Sequence, residues 1–224
     1  MTPRGDGPVR LGVLASGRGS NLQAILDAAG RPDFPARVAV VVSDTERAQA
    51  LDRAREHGVP AVWLSPKDFG DRAAYDAGLR RVLDEHRVGL VCLAGFMRIL
   101  TPEFVRAYAG RVLNIHPALL PAFPGLHAQR QAIEHGVRIA GATVHFVDEG
   151  VDTGPIVLQA SVPVHPDDTE ESLSARILVE EHRLYPEAIR LFAEGRLQIA
   201  GRRVVVRAAG RPGAGAPASE ASER

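Results

Sequence analysis

The chain is almost without lysine. Of its 27 basic residues only Lys67 is a lysine, and the others are arginine. There is accordingly no Gly-Lys-Ser/Thr phosphate loop, which excludes a nucleoside triphosphatase of that type. A lysine Schiff base would have to use Lys67, which sits in a turn-like Ser-Pro-Lys-Asp segment. Cysteine is as scarce: Cys92 stands alone, so no internal disulfide can form and a reducing, cytoplasmic compartment is expected. No apolar run approaches the roughly 20 residues of a membrane span. Residues 1–8 lack the apolar core of a signal peptide, so no membrane association is expected. Net charge is zero, which argues against a nucleic-acid partner bound by phosphate neutralisation. The histidines are scattered, none with a tight ligand spacing to acids or thiols, so no metal is expected.

What is present suits one globular domain. The chain has 224 residues, 45% of them hydrophobic, enough for a substantial core. Residues 1–8 read as a flexible start. From residue 208 the chain is Gly, Ala, Pro, Ser and charge, and 208–224 is expected to be a disordered tail.

Between them, strand and helix patterns alternate. Val9–Ala15 is an apolar strand, followed by Ser16-Gly-Arg-Gly-Ser-Asn21 and a helix from Leu22 to Ala29. Glycines let a backbone turn tightly and approach a ligand, and free N–H groups at a helix start attract anions. A dinucleotide fingerprint would need a third glycine where Leu22 stands. The turn therefore suits a single phosphate held by N–H groups with Ser20 and Asn21; it equally describes a tight turn that binds nothing. A strand at 37–43, a helix at 46–56 capped by Ser43-Asp44, a short strand at 61–64, an amphipathic helix at 71–85 and a strand at 88–94 follow. The loop Gly95-Phe-Met-Arg-Ile-Leu100 is unusually apolar and is expected to line a pocket. After a short helix at 101–108 and a strand ending near His116 come a helix at 127–135, a hairpin over 139–163, a long helix from about 168 to 194 and a weak hairpin around Gly201. The predicted fold is α/β: a Rossmann-like, open, mostly parallel sheet with helices on both faces, plus a C-terminal β-hairpin and long helix.

The stretch Arg111–Leu126 organises the rest. Its strand must stop near His116, because Pro117, Pro121 and Pro124 cannot donate to a sheet ladder. Asn114 and His116 are two apart, so they share a strand face. They lie at the carboxyl end of a strand, where open α/β sheets bind ligands. A strand end with a capping asparagine and a surface histidine fits the same residues.

Four segments together resemble the phosphoribosylglycinamide formyltransferase family: Ser16-Gly-Arg-Gly-Ser-Asn-Leu-Gln-Ala, Leu93-Ala-Gly-Phe-Met-Arg-Ile-Leu, Asn114-Ile-His-Pro-Ala-Leu-Leu-Pro and His145-Phe-Val-Asp-Glu-Gly-Val-Asp-Thr-Gly-Pro-Ile. The similarity spans roughly residues 9–200. The Asn-x-His-Pro and Asp-x-Gly-Pro elements mark the wider formyltransferase superfamily, and the other two narrow it. The resemblance implies a catalytic domain over 9–207, with a phosphate-binding N-terminal half and a folate-binding C-terminal half. It implies Asn114, His116 and Asp152 as the catalytic set. It places Gly19, Ser20, Asn21 and Glu181 on the ribonucleotide. It places Arg72, Met97, Arg98, Ile99, Leu100, Asn114 and the loop Asp148, Glu149, Gly150, Val151 and Asp152 at the folate. The co-substrate implied is 10-formyltetrahydrofolate and the partners are small molecules, on a monomer or weak homodimer.

The side chains suit that chemistry. An amine attacking a formyl carbonyl makes a tetrahedral oxyanion, to which Asn114 and a protonated His116 could donate. Asp152 beside His116 is expected to raise the imidazole pKa. Gly150 is expected to loosen the acidic loop. Rivals sharing the same core are a formyltetrahydrofolate hydrolase, expected to carry an extra N-terminal domain, and a methionyl-tRNA formyltransferase, expected to carry a C-terminal one. A nicotinamide oxidoreductase is disfavoured by the missing third glycine.

Overall fold

A computed structural model describes residues 7–208. The expectations of a flexible start and a disordered tail fall, apart from residues 7, 8 and 208, outside the described residues. Along the chain run β1 (Val9–Leu14), α1 (Ser20–Ala29), β2 (Ala36–Ser43), α2 (Gln49–Glu56) and β3 (Ala61–Trp63). A 3-10 turn at Pro66–Asp68 leads to α3 (Arg72–Glu85), β4 (Leu90–Leu93), α4 (Pro102–Ala107) and β5 (Val112–His116). Then come α5 (Ala128–Glu134), β6 (Ile139–Phe146), β7 (Ile156–Pro163), α6 (Glu170–Ala193), β8 (Leu197–Ala200) and β9 (Arg203–Val206).

The strands form one sheet in the order β3-β2-β1-β4-β5-β6-β7-β9-β8. From β3 to β5 every pairing is parallel. β4 is apolar and buried at every position and β1 at all but Arg10, as parallel strands covered on both faces are, whereas β5 carries Asn114 and His116 on one face. The order of β1 reverses direction between β2 and β4, the switch point at which such sheets open a crevice. Past β5 the pairing turns antiparallel, with β6 on β5 and β7 on β6.

Two hydrophobic cores sandwich the sheet. One gathers Leu22 and Ile25 of α1, Leu51 of α2 and Leu173, Ile177, Leu184 and Tyr185 of α6. The other gathers Tyr75, Leu79 and Leu83 of α3 with Phe104 and Tyr108 at α4. The stripe Tyr75, Leu79, Leu83 is spaced by four, so one face of α3 is buried throughout. Tyr185 anchors the long helix under the sheet: its hydroxyl lies 3.0 Å from the carbonyls of both Leu93 and Leu113 at adjacent strand ends.

Two local expectations needed correction. α2 begins at Gln49, and its N-cap is Ala48 with no side-chain bond. Ser43 does not cap it, because its hydroxyl accepts from Thr45 N–H at 3.1 Å and closes a local turn instead. α1 begins two residues earlier than expected, at Ser20. The long helix is capped by Thr169, which forms a reciprocal box with Ser172. Asp168 is turned to Arg176, held by two 2.8 Å contacts.

Candidate active site

The site is built where the parallel half of the sheet meets the antiparallel half. Asn114 and His116 lie on one face of β5, as their spacing requires. Across the antiparallel ladder Asn114 pairs with His145 and His116 with Thr143. The β6–β7 connection then brings Asp152 over this face, in a left-handed conformation with φ 54°. Phe123 and His127 in the proline loop are also left-handed, at 53° and 57°. Such conformations are costly for residues with a Cβ and gather at functional sites. Gly154 follows the turn because a Cβ there would collide with the Phe146 carbonyl oxygen.

Asp152 is the hub. Its Oδ2 lies 3.3 Å from His116 Nδ1 and accepts from Gly125 N–H at 2.8 Å. Its Oδ1 accepts from Asn114 Nδ2 at 3.3 Å and lies 3.6 Å from His145 Nε2. His116 is buried, and its Nε2–H donates to the Phe123 carbonyl at 2.8 Å, a partner that can only accept.

Burial pushes the His116 pKa down, and this outweighs the upward pull of the Phe123 carbonyl and of Asp152; the neighbouring His145 adds to the lowering. The expectation that Asp152 would hold His116 as a cation is therefore corrected: the resting ring is neutral at pH 7, because desolvation beats one carboxylate. Asp152 shows the opposite balance. Burial alone would raise its pKa, but the facing imidazole of His145, the Gly125 N–H and the nearby His116 ring hold it below the ordinary carboxylate value.

A second cluster lies at the head of α1. Gly19 is its N-cap at φ 72°, and no side chain caps the helix, so its first N–H groups are left open to a ligand. A Cβ on Gly19 would also come within 2.9 Å of the Ala50 backbone, so the loop is wedged against α2. Gly19, Ser20 and Asn21 border a cavity of about 240 Å³ with Ala94, Gly95 and Met97. The Met97 N–H donates to Ser16 Oγ at 2.9 Å, stitching the two loops together. Asn21 Nδ2 does not face that cavity freely: it donates to Glu181 Oε2 at 2.7 Å, and both residues are buried. Burial drives the Glu181 pKa up against this hydrogen bond. A larger cleft of about 590 Å³ lies between α1 and α6, lined by Ser20, Asp27, Arg31 and His182 among others, and contains none of the catalytic trio.

The apolar loop after β4 behaves as expected at its rim. Met97 is 68% and Ile99 60% exposed, while Leu100 is buried beneath them. Arg98 stacks its guanidinium 4.7 Å from the centre of the Tyr75 ring. The acidic loop is tied rather than loose: Asp148 accepts from Thr153 Oγ1 at 2.6 Å and from Gly150 N–H at 3.1 Å. Glu149 pairs with Arg106 at 2.8 Å, and Val151 is exposed. Gly150 thus closes a turn, since its N–H is needed by Asp148. Arg72 sits exposed at the first position of α3, and no hydrogen bond or ion pair joins it to the trio.

The structure therefore gathers Asn114, His116 and Asp152, and separately Gly19, Ser20, Asn21 and Glu181. Sequence reasoning missed His145, the Phe123 carbonyl and the Gly125 N–H. The Thr143, His145, Val147 alternation was visible, but its pairing with β5 was not. Among the described residues no group of three or more histidine, cysteine or acidic side chains could hold a metal ion.

Known proteins resemble this chain in sequence and in fold. The chain is 49% identical over 187 residues to the phosphoribosylglycinamide formyltransferase of Escherichia coli, covering 84% of this chain and 88% of that one. It is 51% identical over 188 residues to the trifunctional purine biosynthetic protein adenosine-3 of Drosophila melanogaster, covering 83% of this chain but only 14% of that one. The chain thus spans about a seventh of that multifunctional relative. Among solved structures, glycinamide ribonucleotide transformylase 1 from Symbiobacterium toebii superposes with a TM-score of 0.89 at 58% identity, over 91% of this chain and 96% of that one. A formyltetrahydrofolate deformylase from Pseudomonas syringae shares the fold at 29% identity and a TM-score of 0.84, over 91% of this chain and 67% of that one. A sequence model described as formyl transferase matches residues 9–189, and the chain belongs to that formyl transferase family.

Proposed function

We propose that this protein transfers the formyl group of 10-formyltetrahydrofolate to the amine of N1-(5-phospho-D-ribosyl)glycinamide, as a step of purine synthesis. The observation that carries the proposal is Asp152 in contact with both Asn114 and His116 of β5, in a protein whose first helix starts uncapped after a glycine turn. The formyltransferase of E. coli and the transformylase of S. toebii, each covered over most of its length, support the same acceptor.

The phosphate binds the open N–H groups at Gly19–Asn21, where the helix dipole favours an anion. Glu181 lies one hydrogen bond from Asn21 and is placed to accept from the glycinamide side of the substrate. The folate enters over Met97, Ile99 and Val151, which offer exposed apolar surface for its ring, with Leu100 packed beneath, Arg72 and Arg98 available to its carboxylates, and Asp148 and Glu149 shaping the loop. The phosphate site lies in the N-terminal half of 9–207, while the folate takes residues from both halves and the glycinamide side takes Glu181 from the second.

The amine forms a bond to the formyl carbon, and the carbonyl pair moves onto oxygen. Asn114 Nδ2 has two acceptors beside it, His145 Nε2 at 3.1 Å and Asp152 Oδ1 at 3.3 Å, so its N–H groups are turned into the catalytic cluster. One of these N–H groups can pass from its resting acceptor to the oxyanion. Neutral His116 points the lone pair of Nδ1 at Asp152 Oδ2. A proton taken there makes an imidazolium held by the carboxylate, and its Nε2–H can exchange the Phe123 carbonyl for the oxyanion or for N10. Collapse breaks the carbon–N10 bond, and the proton lost by the amine ends on N10. The substrates are small molecules, and we place the protein in the cytoplasm as a monomer or weak homodimer.

The deciding experiment is an assay of purified protein with 10-formyltetrahydrofolate, with and without glycinamide ribonucleotide. Ribonucleotide-dependent formation of the formylated product is expected. Release of formate at the same rate without the ribonucleotide would make it a hydrolase, like the relative from P. syringae.

A further inference from the structure

We propose that His145 is a positioning residue, which fixes the amide of Asn114 in the orientation that turns an N–H toward the reacting carbonyl. The inference rests on the formyl-transfer reading above, but its first test does not.

His145 is 2% exposed on β6, directly opposite Asn114. The β5–β6 register through His145 is regular, while on its other side the β6–β7 pairing slips by one residue, leaving Val157 of β7 over. Its Nδ1 lies 2.9 Å from the Phe146 carbonyl oxygen, which can only accept, so Nδ1 must carry a proton. Its Nε2 lies 3.1 Å from Asn114 Nδ2.

For the Asn114 amide one assignment of hydrogens satisfies both of its contacts. If Nε2 also carried a proton, it would confront the N–H groups of Asn114. Turning the amide over would relieve that clash but set Asn114 Oδ1 3.3 Å from Asp152 Oδ1, two acceptors face to face. With Nδ1 alone protonated, His145 Nε2 and Asp152 Oδ1 both accept from the amide nitrogen of Asn114. The amide is then held from two sides in one sense, with its N–H groups turned into the cluster and one of them able to pass to the oxyanion. Without the imidazole, Asp152 Oδ1 alone would orient the amide, through a single 3.3 Å contact. A loosely held donor is a poor oxyanion ligand, because preorganisation is what makes such groups effective.

The first test uses the native protein. Imidazole nitrogen shifts measured by NMR at neutral pH should show His145 as the Nδ1–H tautomer. An Nε2–H tautomer, or a doubly protonated ring, would overturn the proposal whatever the protein catalyses. The second test is kinetic. His145→Phe keeps the ring and removes both nitrogens, and should lower kcat about 10- to 100-fold. Dissociation constants for folate and ribonucleotide should stay within about twofold. His145→Gln, which restores an acceptor near the Nε2 position, should recover most of the loss. In an Asn114→Ala background His145→Phe should cost little more, because the group it positions is gone. An unchanged kcat in His145→Phe, or additive losses with Asn114→Ala, would overturn the role. Should His145→Phe fail to fold, the native tautomer and the kcat of His145→Gln carry the test, and a His145→Gln enzyme as slow as Asn114→Ala would count against it.

Discussion

His116 donates from Nε2 to the backbone carbonyl of Phe123 at 2.8 Å, while its Nδ1 faces Asp152 Oδ2 at 3.3 Å. One ring nitrogen is thus spent on the proline loop, and the other waits beside a carboxylate. A neutral ring so placed can gain a proton without moving, since both N–H groups of the imidazolium would have acceptors.

The pair should therefore act as a unit. Asp152→Asn preserves shape but removes the charge that would stabilise an imidazolium, and it should lower kcat by about 10²-fold or more with little change in ligand affinity. His116→Ala should be comparably severe. In a double-mutant cycle on kcat the double variant should be little worse than the worse single one. Fully additive losses would show that Asp152 works independently of His116.

Asn21 has two jobs that the structure separates. Its amide satisfies buried Glu181, and its backbone lies in the first turn of α1. Asn21→Ala leaves the Glu181 carboxyl without a donor, which should destabilise the protein by about 1–3 kcal/mol in urea unfolding. Calorimetry should show ribonucleotide affinity falling much more than folate affinity. Equal losses of both ligands would remove Asn21 from the phosphate site.

Cys92 lies fully buried in β4, and burial pushes its thiol pKa well above the ordinary range, against the lowering influence of Tyr185. A thiol without its thiolate is a poor nucleophile. Native protein should react with a disulfide reagent only as fast as it unfolds, with the full thiol count recovered in denaturant. Fast modification with retained structure would contradict this burial.

The elements most legible in the sequence were those with a strong local signal. The buried strands and the Tyr75, Leu79, Leu83 stripe follow from periodicity, and the hairpin over 139–163 from its alternation. The Gly19 turn was legible because glycine is the residue that such a backbone tolerates. Asn114 and His116 share a face by spacing alone. What failed was long-range or competitive. The N-cap at Ser43 looked plausible, but its hydroxyl had a nearer partner in Thr45 N–H. His145 was passed over because its meaning lies in a strand register set thirty-one residues away. The charge state of His116 was misjudged because spacing reveals a nearby carboxylate but not the depth of burial.

Glu181 offers a pH test whose sign is fixed by burial. Its folded pKa is raised, chiefly by desolvation, with the Asn21 bond working in the opposite direction. Below the ordinary glutamate value of 4.5 the carboxyl is protonated in both folded and unfolded chains, so its contribution is fully present. As pH rises past 4.5 the unfolded chain releases its proton while the folded one keeps it, and stability falls until the folded pKa is passed. Glu181→Gln keeps an oxygen for Asn21 and does not titrate. Relative to the parent, this variant should gain stability as pH rises from about 4 through that window, and the gain should level off above it. His116 and His182 work in the other direction, because burial lowers both. Each costs stability as pH falls below about 6.5. Both proteins carry these histidines, so the difference between them isolates Glu181. Unfolding midpoints at matched ionic strength between pH 4 and 8 would measure it. A difference that is flat across the range, or that shrinks as pH rises, would mean that Glu181 ionises in the fold as readily as in the unfolded chain, and the buried Asn21–Glu181 contact would then have to be a pair of amide and carboxylate rather than amide and acid.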